Sequence, residues 1–432
     1  MNRYDVVVVG GRVAGAATAL LLARAGMRVA LIDRSRPGSD IVSTHGLMRV
    51  GVAQLSRWGL LDQITEAGTP PIRSTTFHYP DGRTVVVAIR PSPGVPALYA
   101  PRRYLLDWML VDAAAQAGVE VITQTAITAL TSDENGRVTG VRTAGRGGRP
   151  VELPSLITVG ADGIRSTVAR HVGAPILQQG RSCSAILYRY LNGLPADGYE
   201  WAYRDNAAAG LIPTNNGQTC VFVSTTPQRM RAVRRTDVEH AFTTLLGQAA
   251  PALVDRVAAS QPAGPIHGWG GTPGYVRQSW GPGWALVGDA GYYKDPITTH
   301  GMTDALRDAE LLAHAITETT IAGSTEAIAF ARYQQTRDRL SSDLFAATED
   351  VAAYNWTPDT IEPLLRRVSA AMTDEVTHLQ TLPNLAHIRQ PDPLVDHRDR
   401  DTSPSAAATV SDVRRPLPDA RERGANRAKV IV

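Results

Sequence analysis

The chain opens with a β-branched run over Tyr4–Val9. Such a run predicts a strand buried on both faces of a parallel sheet, not one alternating between core and water. Residues 13–25 have helical composition and stop at Gly26, a good C-cap. Residues 28–32 form the next apolar run, which completes one βαβ unit. An amphipathic pattern over 50–64 predicts a second helix. Phe77 to Arg83 reads as a strand and hairpin turn with residues 84–89 as the return strand. Residues 105–117 place Leu106, Leu110 and Ala114 on one helical face. A strand over 119–124 follows, and residues 138–143 pair after the turn at Asn135-Gly136.

From about Ser182 to Ile266 the pattern changes to short β-like runs (185–191, 198–204, 220–225) with one helix near 238–246. That stretch reads as an inserted mixed domain over a sheet. After Gly301 the periodicity is helical to about Leu382. From Gln390 the chain is rich in Pro, Ala, Arg and Asp and poor in large apolar residues, the composition of a disordered or loosely draped tail.

Composition narrows the classes. A chain of 432 residues with 43% hydrophobic content has room for two domains and a sizeable core. A formal charge of +3 offers no global case for nucleic acid. The basic charge is almost all arginine; Lys294 and Lys429 are the two lysines. Two cysteines, Cys183 and Cys220, make no disulfide framework and lack metal-ligand spacing, so a reducing cytoplasm is the default and no metal is expected. The first strand begins within a few residues of Met1, so no signal peptide is expected. The longest apolar stretch, 13–32, is interrupted by Arg24 and Arg28, against a membrane span.

Three turns carry the chemistry. Gly10-Gly11-Arg12-Val13-Ala14-Gly15 lies between the first strand and helix. Gly10 permits the tight turn, Gly15 permits close packing of helix on strand, and the helix N-terminus offers N–H groups to a pyrophosphate. Arg12 stands where the usual second glycine would be, so its side chain must point away or itself help hold the anion. Asp33 ends the second strand, placed to accept from ribose hydroxyls. An ordinary βαβ turn with a solvated aspartate is the plainer alternative. Val159-Gly160-Ala161-Asp162-Gly163 enters a second Gly-flanked aspartate before a helix start at Ser166; alone it reads as a surface turn with an N-cap. Trp284-Ala285-Leu286-Val287-Gly288-Asp289-Ala290 is the third, followed by Pro296 and a helix from Gly301. A dinucleotide site for NAD alone has no use for so late an acidic turn; a longer cofactor clasped from several positions does.

In that order the three turns resemble the para-hydroxybenzoate hydroxylase family of FAD-dependent monooxygenases, the group A flavoprotein monooxygenases. Arg103 with Leu106, Leu110 and Ala114 resembles that family's arginine-led helix beside FAD, and the likeness runs from about Tyr4 to Leu344. The resemblance implies an α/β fold: a Rossmann-like FAD-binding domain (1–75, 98–181 and 277–345), an inserted mixed-sheet substrate domain (76–97 and 182–276), C-terminal helices (346–389) and a flexible tail (390–432). It implies that Gly10, Gly11, Ala14, Gly15, Asp33 and Arg34 hold the ADP part and that Arg103 sits near the pyrophosphate. Asp289 after Gly288 would meet the ribityl chain or its adjacent phosphate, and Asp162 would lie near FAD and the transient NAD(P)H path. Pro296, Gly301 and Met302 would open a helix toward the flavin pyrimidine edge. The family's P-x-x-G-x-G-x-N is altered here, with Thr299 for a glycine and Thr303 for the asparagine.

The implied activity is hydroxylation or epoxidation of a small organic substrate, aromatic or polyketide-like, with O2 and NAD(P)H, through a flavin C4a-hydroperoxide. His45 in Ser43-Thr44-His45-Gly46, and His300, are acid/base candidates; a loop-filling role is the simpler alternative for each. Tyr188, Tyr190, Trp201, Tyr203 and Phe222 of the inserted sheet are candidates to roof the substrate pocket, half of them expected in the core because strand faces alternate. Pro213 and Tyr293 join them as candidate pocket residues. Three other readings stay open. A double-bond reductase of the geranylgeranyl-reductase type uses the same FAD motifs. A flavin-dependent halogenase is disfavoured by the absence of lysine before Lys294. A vestigial flavin-binding module is the non-enzymatic option.

Overall fold

Five parallel strands make the central layer, in the order Glu120–Ile122, Val29–Ile32, Tyr4–Val9, Pro150–Gly160, Trp284–Leu286, with Trp280–Gly281 added antiparallel at the end. The computed structural model describes residues 3–36, 38–39, 43, 46–144, 150–204, 206–234, 237–320, 323–383 and 385. The tail expected from 390, and His45 and Thr44, lie outside the described residues. Val6, Val7 and Val8 are fully buried, as an uninterrupted β-branched run requires of a strand covered on both faces.

The register decides function. Val9 pairs with Ile32 on one side and with Gly160 on the other, and Gly160 pairs with Leu286. Three strands distant in sequence therefore end level. The turns that follow them, at Gly10, Ala161 and Val287, leave the sheet along one edge, the place where open α/β sheets bind ligands. Helices Val13–Arg24, Arg103–Gln116 and Gly301–Thr320 pack together on one face of this sheet. Gly15 shows how closely: a Cβ there would stand 1.8 Å from the Gly10 carbonyl oxygen. Only glycine allows the helix to start where the strand ends.

The inserted sheet runs Gln261–Pro262, Ala185–Asn192, Gln218–Thr225, Ala207–Pro213, Tyr199–Arg204, Ser74–His78, Thr84–Ala88, with His267–Trp269 alongside Ala185–Asn192. Its aliphatic face, including Leu187, Leu211, Val221 and Val223, packs with Phe242, Leu245 and Leu246 of helix Val238–Ala249. Its other face carries Tyr188, Tyr190, Tyr199, Trp201, Tyr203 and Phe222 into the main core. Alternation predicts half of the five candidate aromatics in the core; all five share one face and belong to the main core. They occupy positions of equal parity within each strand, and the pairing of Tyr188 with Phe222 aligns the strands in phase. A three-stranded sheet of Ile176–Gln179, Tyr275–Arg277 and Tyr292–Tyr293 joins the two layers.

Some predicted elements change. The single helix expected over 50–64 is two, Arg49–Arg57 and Leu61–Glu66, broken at Gly59 with φ of 72°. Val138–Ala144 pairs with Ile127–Ser132, a strand the pattern did not disclose, and with Pro150–Gly160, while Glu120–Ile122 joins the parallel sheet. Ala207–Pro213, rich in alanine and also unforeseen, is fully buried. Helices Glu326–Ala352, Pro358–Ala371 and Thr373–Gln380 close the described chain. No helix among the described residues is long and apolar enough to cross a membrane.

Candidate functional site

A cleft of about 720 Å³ runs along the level strand ends. Gly10, Arg12, Ala14, Asp33, Arg34, Arg103, Asp162, Asp289, Pro296, Gly301 and Met302 line it, so one groove gathers candidates from all three turns. Its size is that of small-molecule and cofactor sites generally. Gly11 and Gly15 do not line it. Gly288, with φ of 59°, stands where a Cβ would be 2.8 Å from that of Ala14, so the third turn packs directly on the first helix.

The dinucleotide end is built around two acids. Asp33 accepts from the backbone N–H of Gly11 and of Ser35, both at 2.6 Å, so its carboxylate fixes the turn as well as facing the groove. Asp107, 2% exposed, was not foreseen. It accepts from Arg12 Nη1 at 2.8 Å and from Arg103 Nε and Nη2 at 3.1 and 3.2 Å. Arg12 also donates to the Ser39 carbonyl and hydroxyl, each at 2.7 Å. That answers the difficulty posed by an arginine in place of glycine: its guanidinium is drawn aside to Asp107 and Ser39. The first turn of helix Val13–Arg24 has no side-chain cap and no acid, which leaves its N–H groups to an anion. The glycine-limited contacts and this uncapped helix start fit the pyrophosphate of a dinucleotide.

Asp162 accepts from Ser166 Oγ at 2.5 Å and from the Thr167 N–H at 2.6 Å. It caps the short helix after its turn, the plainer of the two readings, while still lining the groove. Asp289 is recessed beside it. Loss of hydration raises its carboxyl to about 6, against the pull of Arg103 and Lys294.

At the far end the wall is Ser43, Gly46, Ile186, Tyr188, Trp269, Tyr292, Tyr293, Lys294, Thr299 and Asp304. Of the roof candidates, Tyr188 and Tyr293 reach the cleft. Tyr190, Trp201, Tyr203, Pro213 and Phe222 do not line it; they are buried, Trp201 against Phe222 at 5.7 Å between ring centroids and Tyr203 against Trp356 at 5.6 Å. The two altered positions keep the backbone of the motif. Thr299 adopts φ of 54°, the left-handed conformation that glycine takes without strain. Thr303 Oγ1 accepts from the Met48 N–H at 3.0 Å, so a hydroxyl here bonds the chain near the cleft.

His300 stands behind this wall, 1% exposed, with Nε2 2.8 Å from Glu375 Oε2. Burial lowers its basicity, against the pull of Glu375. Around it lies an ion-pair network the sequence did not disclose. Arg307 joins Glu375, Asp304 (3.0 Å) and Asp308 (2.8 Å), and Lys294 joins Asp304. His300, Asp304 and Glu375 are close enough to share an ion, but the Arg307 guanidinium and the Lys294 ammonium already occupy their oxygens. Glu375 comes from helix Thr373–Gln380, far along the chain, and no local motif announces it.

A cleft at the level ends of a parallel sheet, with an uncapped helix start, three turns of which two bear an acid, and a second layer over one end, defines a flavin-dependent oxidoreductase. The family model described as FAD binding domain matches residues 3–348, and the chain belongs to that family. Digeranylgeranylglycerophospholipid reductase 1 of Methanococcoides burtonii is 26% identical over 74% of this chain and 76% of its own length. Two solved structures share the fold. The flavin-dependent brominase Bmp2 superposes with a TM-score of 0.72, 18% identity, 88% of this chain and 98% of its own. PqsL, a probable FAD-dependent monooxygenase from Pseudomonas aeruginosa, gives 0.70, 21%, 86% and 100%.

Proposed function

We propose that the chain is an FAD-dependent monooxygenase, reduced by NAD(P)H, that hydroxylates or epoxidises a small aromatic or polyketide-like substrate. The observation that carries this reading is the continuity of the cleft. It runs without a break from the Gly10 turn to Ile186, Tyr188 and Trp269 of the inserted sheet. A substrate under that sheet lies at the reactive end of a cofactor whose other end is held at the strand edge. The sequence carries one Rossmann fingerprint, so the nicotinamide is a visitor to this groove with no domain of its own.

FAD supplies the redox and oxygen chemistry when bound. This chain supplies the rest. The N–H groups opening helix Val13–Arg24, with Arg103, would hold the pyrophosphate. Asp33 and Asp289 would meet hydroxyls, and the start of helix Gly301–Thr320 would face the pyrimidine edge. Tyr188, Trp269 and Tyr293 exclude water from the reacting end.

A second reading is supported by the reductase from Methanococcoides burtonii, whose similarity covers three quarters of this chain: saturation of a carbon–carbon double bond without O2. The test is anaerobic reduction of the holoprotein by NADH or NADPH, then admission of isotopically labelled O2 with candidate substrates. Product carrying one labelled oxygen atom supports the monooxygenase. A saturated product formed without O2 refutes it in favour of the reductase, and a halide-dependent product refutes it in favour of a halogenase.

A further inference from the structure

Strand Thr84–Ala88 ends the inserted sheet and, among the described residues, pairs only with Ser74–His78. All of its residues are exposed. Val85, Val86 and Val87 are 36%, 65% and 47% exposed, and Val86 is the most exposed large apolar side chain among the described residues. A sheet edge templates pairing with another chain unless a charge, a proline or a bulge blunts it. Thr84–Ala88 has none of these. The opposite edge, Gln261–Pro262, is short and carries a proline. The hydrogen-bond phase tells which backbone groups face outward. The Tyr79 N–H donates to the Arg83 carbonyl at 2.9 Å, and the Ile89 N–H to the Arg73 carbonyl at 2.8 Å. Backbone groups along an antiparallel strand alternate in direction, so Val85 and Val87 turn theirs inward with Arg83 and Ile89. Thr84, Val86 and Ala88 point their N–H and C=O groups out from the sheet edge.

We propose that this edge is the contact between two copies of the chain, which pair antiparallel about a twofold axis at Val86. In that register Val86 bonds to the partner's Val86 and Thr84 to the partner's Ala88, each through its outward groups. Val85 meets the partner's Val87 at a non-hydrogen-bonded pair, where side chains stand closest. A shift of one residue would set outward groups against inward ones, and a shift of two would leave one end of the strand unpaired. The charges at the ends also complement one another. Arg83 pairs with Asp81 at 2.5 Å and with Glu362 at 3.0 Å, so two carboxylates surround one guanidinium. Arg90 is exposed, and the same register brings the partner's Arg90 opposite Gly82, beside this cluster. The partner's Arg90 supplies the missing cation. An isologous contact of this kind closes at two copies, because the blunted edge at Gln261–Pro262 offers no second site. The dimer is independent of which reaction the cleft performs.

The readout is the mass of the full-length protein by sedimentation equilibrium over a range of concentrations. One pair of short strands is small beside stable interfaces of about 1,200–2,000 Å², so a dissociation constant of about 1–100 μM is expected. Val86→Pro removes an outward N–H and leaves the bonds to Ser74–His78 untouched, the one setting in which a sheet accepts proline. Val86→Lys instead puts like charges on both sides of the axis. Each is expected to weaken the dimer at least about tenfold, with thermal unfolding of the dilute protein close to that of the wild type. Ile328→Lys, at a comparably exposed position on helix Glu326–Ala352, is expected to leave the dimer unchanged. A dimer that survives both Val86 changes overturns the proposal, as does equal loss of the dimer in Ile328→Lys. A wild type still monomeric at about 200 μM overturns it too. Slow exchange of the Val86 amide in that monomer would assign the edge to cover by the chain's own residues 386–432.

Discussion

Asp107→Asn is the sharpest test of how the chain accommodates an arginine in its dinucleotide turn. Asp107 is 2% exposed and receives one hydrogen bond from Arg12 and two from Arg103, between 2.8 and 3.2 Å. Charge-assisted bonds of this kind contribute about 1.5–3 kcal/mol each. Asparagine keeps one acceptor oxygen, and Arg12 remains about a quarter exposed, so water recovers part of the loss. The expected destabilisation is about 2 kcal/mol, which lowers Tm by a few degrees in a chain of this size. The assay is thermal unfolding of the apoprotein, completed as a double-mutant cycle with Arg12→Ala. If the guanidinium is held by the carboxylate, the two changes couple by about 1 kcal/mol. Holoprotein should lose less than apoprotein, because guanidiniums released by Asp107 can pair with the pyrophosphate. A coupling below about 0.3 kcal/mol, or an equal loss in both forms, refutes the account of Arg12.

Gly15→Ala places a methyl 1.8 Å from the Gly10 carbonyl oxygen, which cannot move without breaking the strand end. It should cost about 3 kcal/mol or more and abolish retention of FAD, checked by flavin absorbance after gel filtration. Asp289 is raised in the fold to about 6, above its unfolded value near 3.8. Proton binding therefore favours the folded apoprotein, and the penalty is present in full above pH ~6 and relieved as pH falls toward 4. Asp289→Asn should stabilise the apoprotein at pH 7 by about 1–2 kcal/mol, flatten its stability between pH 4 and 7, and weaken FAD binding; urea titrations across pH decide it. Asp295, also raised to about 6 by burial, will leave a residual slope of the same sign. Glu375→Ala strips Arg307 of a buried partner and should cost about 3–5 kcal/mol, while Glu375→Gln should cost less; denaturation midpoints compare them.

The parts legible in the sequence were those whose chemistry is local. A β-branched run, a glycine that must be small and an acid at a strand end each leave a mark within ten residues. Such marks sufficed for the first βαβ unit and its turn, while the turn at Asp162 alone read as a surface turn and joined the others only through the family resemblance. Their meeting in one cleft depends on register, Val9 level with both Ile32 and Gly160, and the pairing with Gly160 joins strands too distant in sequence for a local pattern to disclose. The inserted sheet was less legible. Tyr188 and Tyr190 plainly share a face, as do Trp201 and Tyr203, but nothing local says that the two pairs face the same way. That needs the ladder from Tyr188 through Phe222 to Gly210 and Trp201. Asp107 looked like any residue of an amphipathic helix. Its role exists only because Arg12 replaces a glycine and needs somewhere to go.

The altered residues after the third turn bear on where the reaction is decided. Thr299 retains a backbone conformation that costs a β-branched residue strain, of order 1–3 kcal/mol, and Thr303 retains a buried hydrogen bond to the chain beside the cleft. Both departures therefore conserve the start of helix Gly301–Thr320, and neither argues for a site that has lost its function. What distinguishes this site is charge. An acid in the first turn, Asp304, works against anion binding there, and it is tolerated because Lys294 and Arg307 reach it. Arg307 in turn is held by Glu375, which lies beyond residue 348, where the family match ends. The C-terminal helices thus help to set the electrostatics of the cleft. A FAD-binding domain cut at residue 348 would keep all three turns and lose the carboxylate that anchors the network behind the site.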